Sequence, residues 1–581
     1  MGARLRPPAH TAQTAGAERG SGARAGLHGH AGQARLLYGA AFIVPMIGLA
    51  LFFLYPLVLV VQRSFVQRDG ALGLGNYADV FAMSHIPGVI ANSLIMSSIT
   101  TVICIVLGFA IAYLLQRTTI IGQTLITLAL LLPLLAPSLV QALGLLFLFG
   151  RNGLVNQFTG WDLQIYGLWG LVISNSMYAL PQAVMIIQAS LRHSDVRYYD
   201  AAMLMGASHW RRFMDITLPN ARFGLLSAAF VVFTVTITDF GNAAVIGGNY
   251  RVLATEIYSQ VVGQMNFNMG AVIGIFLLIP TLVAFYIEKV ASQRQFGGGT
   301  SSAIPVPKHF VAARDIPLGL VAHLAALFIV AVVLTVIFAS FVQLWPYRMG
   351  LTLNNYNITT AGGYAPLWTS LIVSTQAAVI GVVLLFALVL AQRRMPRRAA
   401  KAVYLLAIVP VGVPGLVLGL SYVLSFNVAG PVLGALYGTA LLIAFCNFYH
   451  YHSQGFLTMV AGIRAVPASL EESVTCMGGS PMRGLRDAVL PIMLPTLVAV
   501  FFFLFMRSMV TLSAVIFLIT PTMSVGAVSV LRLDQAGFTT QAAAFSVCIM
   551  ALVLLAMGLM KLALLWLERR GRNAAATARA V

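Results

Sequence analysis

The sequence predicts an all-α integral membrane protein of about 12 transmembrane helices, built as two parallel six-helix repeats. Three observations carry this. The 581-residue chain is 59% hydrophobic and 9% charged, whereas a soluble domain carries about 25% charged residues. Its apolar residues fall into runs of membrane-spanning length. The second half of the runs echoes the first at a nearly constant offset.

A chain this apolar has too little polar surface to face water, so the bilayer is its natural solvent. The net charge of +19 would suit a nucleic-acid binder, but its distribution, given below, points to no nucleic-acid partner. Cys104, Cys446, Cys476 and Cys548 lie far apart without paired metal spacing and read as small buried apolar residues. Residues 1–35 are rich in Gly, Ala and Arg and precede an apolar run too long for a signal core. They read as a disordered cytoplasmic tail, and His10, His28 and His30 within it read as ordinary tail residues rather than ligands.

A spanning helix needs about 20 mostly apolar residues. Such runs lie near 37–62, 89–115, 124–149, 166–190, 223–247, 268–288, 316–342, 367–391, 402–425, 434–452, 492–519 and 541–567. They are too long for barrel strands, and lipid satisfies no exposed backbone group, so they must be helices. With the N-terminus placed in the cytoplasm, 28 of the 35 Lys and Arg residues fall on the inside. This bias sets the expected orientation, with both termini cytoplasmic, and accounts for the basic charge.

The repeat is visible residue by residue. Asn76-Tyr77 recurs as Asn355-Tyr356, Ser93-Leu94 as Ser370-Leu371, and Gln116-Arg117 as Gln392-Arg393. Pro133 and Pro137 recur as Pro410 and Pro414, and Leu218-Pro219 as Leu490-Pro491. An even number of spans per half gives the halves one orientation, related by an axis along the membrane normal. The expected domains are a tail at 1–35, a first transmembrane domain at 36–290, a polar cytoplasmic linker at 291–315, a second transmembrane domain at 316–568, and a tail at 569–581.

One long loop per half remains on the expected cytoplasmic side, between the fourth and fifth spans. The first reads Asp200-Ala201-Ala202, three residues, Gly206, nine residues, Ile216, one residue, Leu218-Pro219. The second reads Glu472-Ser473-Val474, three residues, Gly478, nine residues, Ala488, one residue, Leu490-Pro491. An acidic residue suits the start of a short helix, Gly breaks it, and Pro suits the first turn of the next. A short helix buries little alone, so a partner surface is the functional reading and a plain helix–turn connection the bland one.

This pattern resembles the Glu-Ala-Ala loop of ABC importer permeases, and the likeness extends over nearly the whole chain. The resemblance implies a type I importer fold. It also implies that Asp200, Ala201, Ala202, Gly206, Leu218, Pro219, Glu472, Ser473, Gly478, Leu490 and Pro491 couple the chain to its ATPase. The second copy departs from the pattern at Ser473, Val474 and Ala488. Implied partners are two copies of an ABC ATPase subunit, a periplasmic solute-binding protein and the lipid of a bacterial inner membrane. The chain has no Gly-x4-Gly-Lys-Ser/Thr phosphate loop. It is therefore expected to be no enzyme and to hold no cofactor, with ATP and Mg on the partner.

The chain resembles fused two-repeat permeases of the ferric iron, thiamine and 2-aminoethylphosphonate type. The stretch from Asp239-Phe240-Gly241 to Asn268-Met269-Gly270 looks most like the phosphonate permeases. That implies a small anionic solute, with ferric iron as the alternative. Polar groups within spans are candidates for the translocation path, here Asp239, Asn242 and Arg507. A guanidinium fits phosphonate oxygens well; a static Asp239–Arg507 ion pair, or an Arg reaching to the interface, is the bland reading. Pro133, Pro137, Pro181, Pro410 and Pro414 fall within spans, as kinks or as gates. The rival class is a secondary transporter, which also often has twelve spans. Its common acidic and basic loop between spans two and three is replaced here by Gln116 to Gln123, with no acid.

Overall fold

Helices dominate because each apolar run must satisfy its own backbone in lipid. The computed structural model describes residues 32, 35–67, 69–192, 194–297, 304–427 and 433–580. Nearly all of the expected N-terminal tail, and the centre of the expected linker, lie outside these residues. In the first half we label α1 Arg35–Phe65, α2 Ile86–Arg117, α3 Leu139–Phe149, α4 Leu168–Arg192, α5 Leu218–Ile237 and α6 Phe267–Gly297. The second half has α7 Ala312–Ser340, α8 Ala365–Arg393, α9 Gly415–Phe426, α10 Ala440–Arg464, α11 Leu490–Met509 and α12 Thr539–Ala580.

Among the described residues, ten helices are long and apolar enough to cross a membrane, or eleven if one bent pair counts as a span. The two expected runs outside those ten are 402–425 and 434–452, while 124–149 is represented only by its later part, within Leu139–Thr159. The run at 124–149 is not one helix. It breaks at Pro133 and Pro137 into Gln123–Leu131, a 3-10 turn at Leu132–Leu135, and α3. The run at 402–425 breaks at the matching Pro410 and Pro414, where Arg397–Gly412 meets α9 at 101°. Proline removes a backbone donor, and the chain leaves the helix at the residues before the second proline of each pair, Ala136 and Val413, which are extended. The tenth span, α10, is 25 residues long, but Asn447, His450, His452 and Gln454 lower its hydropathy.

The helices at 223–247 and 492–519 also stop early, at Ile237 and Met509. These two ends are 272 residues apart, the offset of the Leu-Pro repeat. Helix α6 runs on to Gly297 and α7 starts at Ala312, so both ends of the expected linker are helical.

Each half packs as a triad, α2 with α4 and α5, and α8 with α10 and α11. The first helix of each half then crosses to the other half, α1 against α9 and α7 against α3. The Tyr422 hydroxyl donates to the Phe52 carbonyl at 2.6 Å, and Phe52 stacks on Phe445 at 4.0 Å. On the other crossing, a Cβ at Gly144 would come within 2.7 Å of the Val332 carbonyl. Only glycine lets the backbones approach so closely.

The repeated pairs of the sequence have matching jobs. Asn76 donates to the carbonyls of Ser64 and Val66, and Tyr77 meets Ser64. Asn355 donates to the carbonyls of Ser340 and Val342, and Tyr356 meets Ser340. Both pairs tie off the end of a half's first helix. Ser93 accepts the Leu253 amide and Ser370 accepts the Gly526 amide, each capping a short helix. A two-stranded hairpin, β1 Val342–Leu344 with β2 Arg348–Leu351, follows α7.

Candidate functional site: the paired coupling loops

The two loops fold alike at one offset of 272 residues. The first comprises helix Val196–Leu204, a turn at Gly206, helix His209–Arg212, a π-turn at Phe213–Thr217, and then α5. The second comprises Ala468–Cys476, a turn at Gly478, Pro481–Gly484, a π-turn at Leu485–Val489, and then α11. Gly206 and Gly478 both take φ +77, a left-handed conformation that suits glycine after a helix. The Ala207 amide donates to the Ala202 carbonyl at 2.9 Å, and the Gly479 amide to the Val474 carbonyl at 2.8 Å. Ser208 and Ser480 each accept an amide three residues on, from Arg211 and Arg483. Leu218-Pro219 and Leu490-Pro491 open the spanning helices.

The sequence-predicted residues are therefore brought together within each loop. Asp200, Ala201, Glu472 and Ser473 face solvent, while Ala202 is buried. Beside them, large apolar side chains stand in the open: Leu204 is 88% exposed, Met205 81% and Met477 79%, with Trp210 also exposed. Exposed apolar side chains thus recur on both loops.

What holds the loops was not singled out in the sequence. Arg117, at the end of α2, donates to the Leu191 carbonyl at 3.3 Å and lies 5.4 Å over the Tyr199 ring. Its repeat mate Arg393 donates to the Val466 carbonyl at 2.9 Å and pairs with Glu471 at 3.1 Å. Arg394 also pairs with Glu471. Tyr199 and Glu471 are themselves 272 residues apart, so one arginine position grips one coupling-helix position by different chemistry in each half. The recurrence of Gln-Arg was legible; its partners were not, because Tyr and Glu share no residue class.

The first loop has a further tie. The Val196 amide donates to the Ile304 carbonyl at 2.9 Å, and Asp195 bridges to Pro305. The His309 amide donates to the Arg117 carbonyl at 3.3 Å, and Lys308 reaches Gln123 at 3.0 Å. The segment joining the halves is thus laced across the base of this loop. Asp195 caps the coupling helix through the Arg197 amide at 3.0 Å, and the Arg197 guanidinium holds its carboxyl below the usual carboxylate range. A depressed value means the stabilising charge is present above the ordinary carboxylate pKa and is lost only as pH falls through the lowered one. From pH 5 to 8 this cap is expected to be pH-independent. Asp195→Ala is expected to speed amide exchange over 196–204 about fivefold and Asp195→Asn to leave it near normal, because Asn keeps the cap; hydrogen exchange checks this.

The groups expected on a translocation path separate into two places. Asp239 accepts the Asn242 amide at 2.9 Å, and Asn242 donates to Asn175 at 3.0 Å. Arg507 instead donates to the Tyr178 hydroxyl of the other half at 3.3 Å and lies 4.8 Å over the Tyr451 ring. Among the described residues no ion pair joins Asp239 to Arg507.

Comparison with known proteins agrees with this architecture. The family model described as "Binding-protein-dependent transport system inner membrane component" matches twice, over residues 104–297 and 383–572. The ferric transport system permease protein FbpB of Actinobacillus pleuropneumoniae is 27% identical over 533 residues, covering 87% of this chain and 75% of that protein. The provisionally named 2-aminoethylphosphonate transport system permease protein PhnU of Salmonella typhi is 23% identical over 261 residues, 43% of this chain and 90% of its own length. The molybdenum transport system permease protein ModB of Haemophilus influenzae is 31% identical over 198 residues, 32% of this chain and 85% of its own. The two matches run from within α2 to the end of α6 and from within α8 into α12, and the chain belongs to the family of binding-protein-dependent transport system inner membrane components, carrying that domain twice.

Proposed function

We propose that this permease imports 2-aminoethylphosphonate or a similar small anionic solute, driven by ATP hydrolysis on separate subunits. The observation that supports coupling to a partner is the pair of coupling loops, identical in backbone path and exposed on one face. Two ATPase subunits dock there, one per loop, and carry the ATP and Mg that this chain does not use itself. Asp200, Ala201, Ala202, Gly206, Leu218 and Pro219 serve the first, and Glu472, Ser473, Gly478, Leu490 and Pro491 the second. A periplasmic solute-binding protein delivers solute to the opposite face. Both termini lie in the cytoplasm, a reading supported by the Lys and Arg bias. Closure of the ATPases moves the loops, the halves rock, and the path between them opens inward.

The phosphonate reading is supported by the resemblance of residues 239–270 and by the likeness to PhnU. Ferric iron is the second reading, supported by the likeness to FbpB over 87% of the chain. Uptake of labelled 2-aminoethylphosphonate and of ferric iron by a deletion strain and its complemented parent separates them. Loss of phosphonate uptake alone, restored by the wild-type chain, is the expected result. Loss of iron uptake alone moves the assignment to the second reading.

A further inference from the structure

Arg507 lies level with the middle of two long helices beside it. Its partner Tyr178 is ten residues from the Leu168 end of α4 and fourteen from the Arg192 end, about 15 and 21 Å at the helical rise. Tyr451, beneath the guanidinium, is eleven residues from the Ala440 end of α10 and thirteen from the Arg464 end, about 17 and 20 Å. A charge at this depth is costly and is expected to have a counter-charge. Of the carboxylates in or next to the spans, Asp239 holds Asn242, Glu256 meets His85 and Arg251, Glu288 meets Ser227 and Asp315 pairs with Arg314, while Asp534 lies in the α11–α12 connection. Arg507 makes no ion pair among the described residues.

What surrounds it is a neutral, hydrogen-bonding pocket drawn from both halves. Tyr178 comes from the first half; Tyr451, His450 and Thr511 come from the second. The Thr511 hydroxyl lies 2.9 Å from that of Tyr451. The His450 ring meets Tyr451 at 4.5 Å, and its Nδ1 is buried with no hydrogen-bond partner among the described residues. Gly415 leaves space beside this ring, since a Cβ there would meet Cε1 at 3.1 Å. An unpaired cation, two phenol hydroxyls and an unpartnered ring nitrogen match a tetrahedral oxyanion: the guanidinium binds two oxygens and the neutral groups donate to the rest.

On the face opposite the coupling loops, connections from both halves meet. A cleft of about 370 Å³ lies between the halves there, lined among others by Tyr258, Met265, Tyr437, Phe517 and Arg532. These residues belong to the connections α5–α6, α9–α10 and α11–α12. Tyr258 and Phe517 stack across the two halves at 6.3 Å and form part of its wall.

We propose that Arg507, Tyr178, Tyr451 and His450 form a mid-membrane subsite that takes a tetrahedral oxyanion such as a phosphonate. The anion replaces Tyr178 on the guanidinium as the halves part, so substrate occupancy and the opening of the path are one event. A bare trivalent cation finds no counter-charge at this point. The proposal rests on the anionic-solute reading above and adds the place where the anion is held.

The test is initial-rate uptake by cells carrying the full transporter, at matched membrane amounts. The probes are labelled 2-aminoethylphosphonate, molybdate and ferric iron. Arg507→Met is expected to lower kcat/KM for the oxyanion that the parent imports at least thirtyfold, and Arg507→Lys only about fivefold, because Lys keeps the charge but loses the fork. Tyr178→Phe is expected to lower it about threefold, chiefly through KM, and decides the matter if Arg507→Met does not reach the membrane. If the parent imports an oxyanion and Tyr178→Phe and the Arg507 variants that reach the membrane stay within about twofold of it, the subsite is wrong and the anionic-solute reading stands. Should the parent import ferric iron and neither oxyanion, both are wrong.

Discussion

Gly206→Arg combined with Gly478→Arg is expected to abolish ATP-driven uptake while the chain still reaches the membrane in near-normal amount. Both glycines hold φ +77, and a Cβ built at either meets nothing within 4 Å. A side chain there strains the backbone by about 1–2 kcal/mol per site, which is small beside the packing of two helix triads. The space it enters is empty of this chain's own atoms, so the fold has no steric reason to fail. That same space borders exposed Leu204, Met205 and Met477, where a partner must sit if the loops are docking surfaces. An arginine there adds bulk and an extra charge to the contact. The control is Gly206→Ala with Gly478→Ala, which brings the backbone strain without the bulk. We expect the alanine pair to lower uptake about tenfold or less and the arginine pair more than a hundredfold. Equal losses would assign the glycines to backbone geometry alone, and full uptake by the arginine pair would remove the loops from the coupling mechanism.

Much of this was legible because membrane helices follow few rules. Apolar length located the spans, and the repeat offsets located equivalent positions that the structure then joined into equivalent contacts, as with Asn76 and Asn355. Where the reading ran over, it did so at polar or irregular backbone hidden inside the protein. Hydropathy treats residues 510–519 as a continuation of α11, yet the backbone turns out of the helix at Val510. Buried within the protein, the chain there keeps its apolar character without helical hydrogen bonds, and composition is blind to the difference. The breaks at Pro133 and Pro410 were visible as prolines but not as 3-10 turns, because a proline marks only where a helix is weakened. Contacts between distant elements were the least legible. Nothing in the order of residues says that Arg507 reaches Tyr178, 329 positions away.

The difference between the two arginine grips predicts that the coupling loops are unequally robust. Removing Glu471 leaves Arg393, whose side chain is 19% exposed, beside a carbonyl and without its carboxylate. Breaking a buried pair in this way costs about 3 kcal/mol, the low end of the usual range, because Arg394 is half exposed and partly hydrated. In the first half, Tyr199→Ala loses a cation–π contact of about 0.5–1 kcal/mol and a hydroxyl contact to Thr217 of about 1 kcal/mol. The linker contacts at Val196 and Asp195 remain and hold that helix from another side. Glu471→Ala is therefore expected to raise amide exchange across Ala468–Cys476 and to lower uptake about tenfold, with Tyr199→Ala lowering it threefold or less. The decisive variant is Tyr199→Glu. It places a carboxylate where Arg117 already points, turning the first grip into the chemistry of the second, and should retain uptake within about twofold. If Tyr199→Glu is as damaging as Glu471→Ala, then Arg117 does not act on the coupling helix through position 199, and the shared arginine is only a cap on the end of α4.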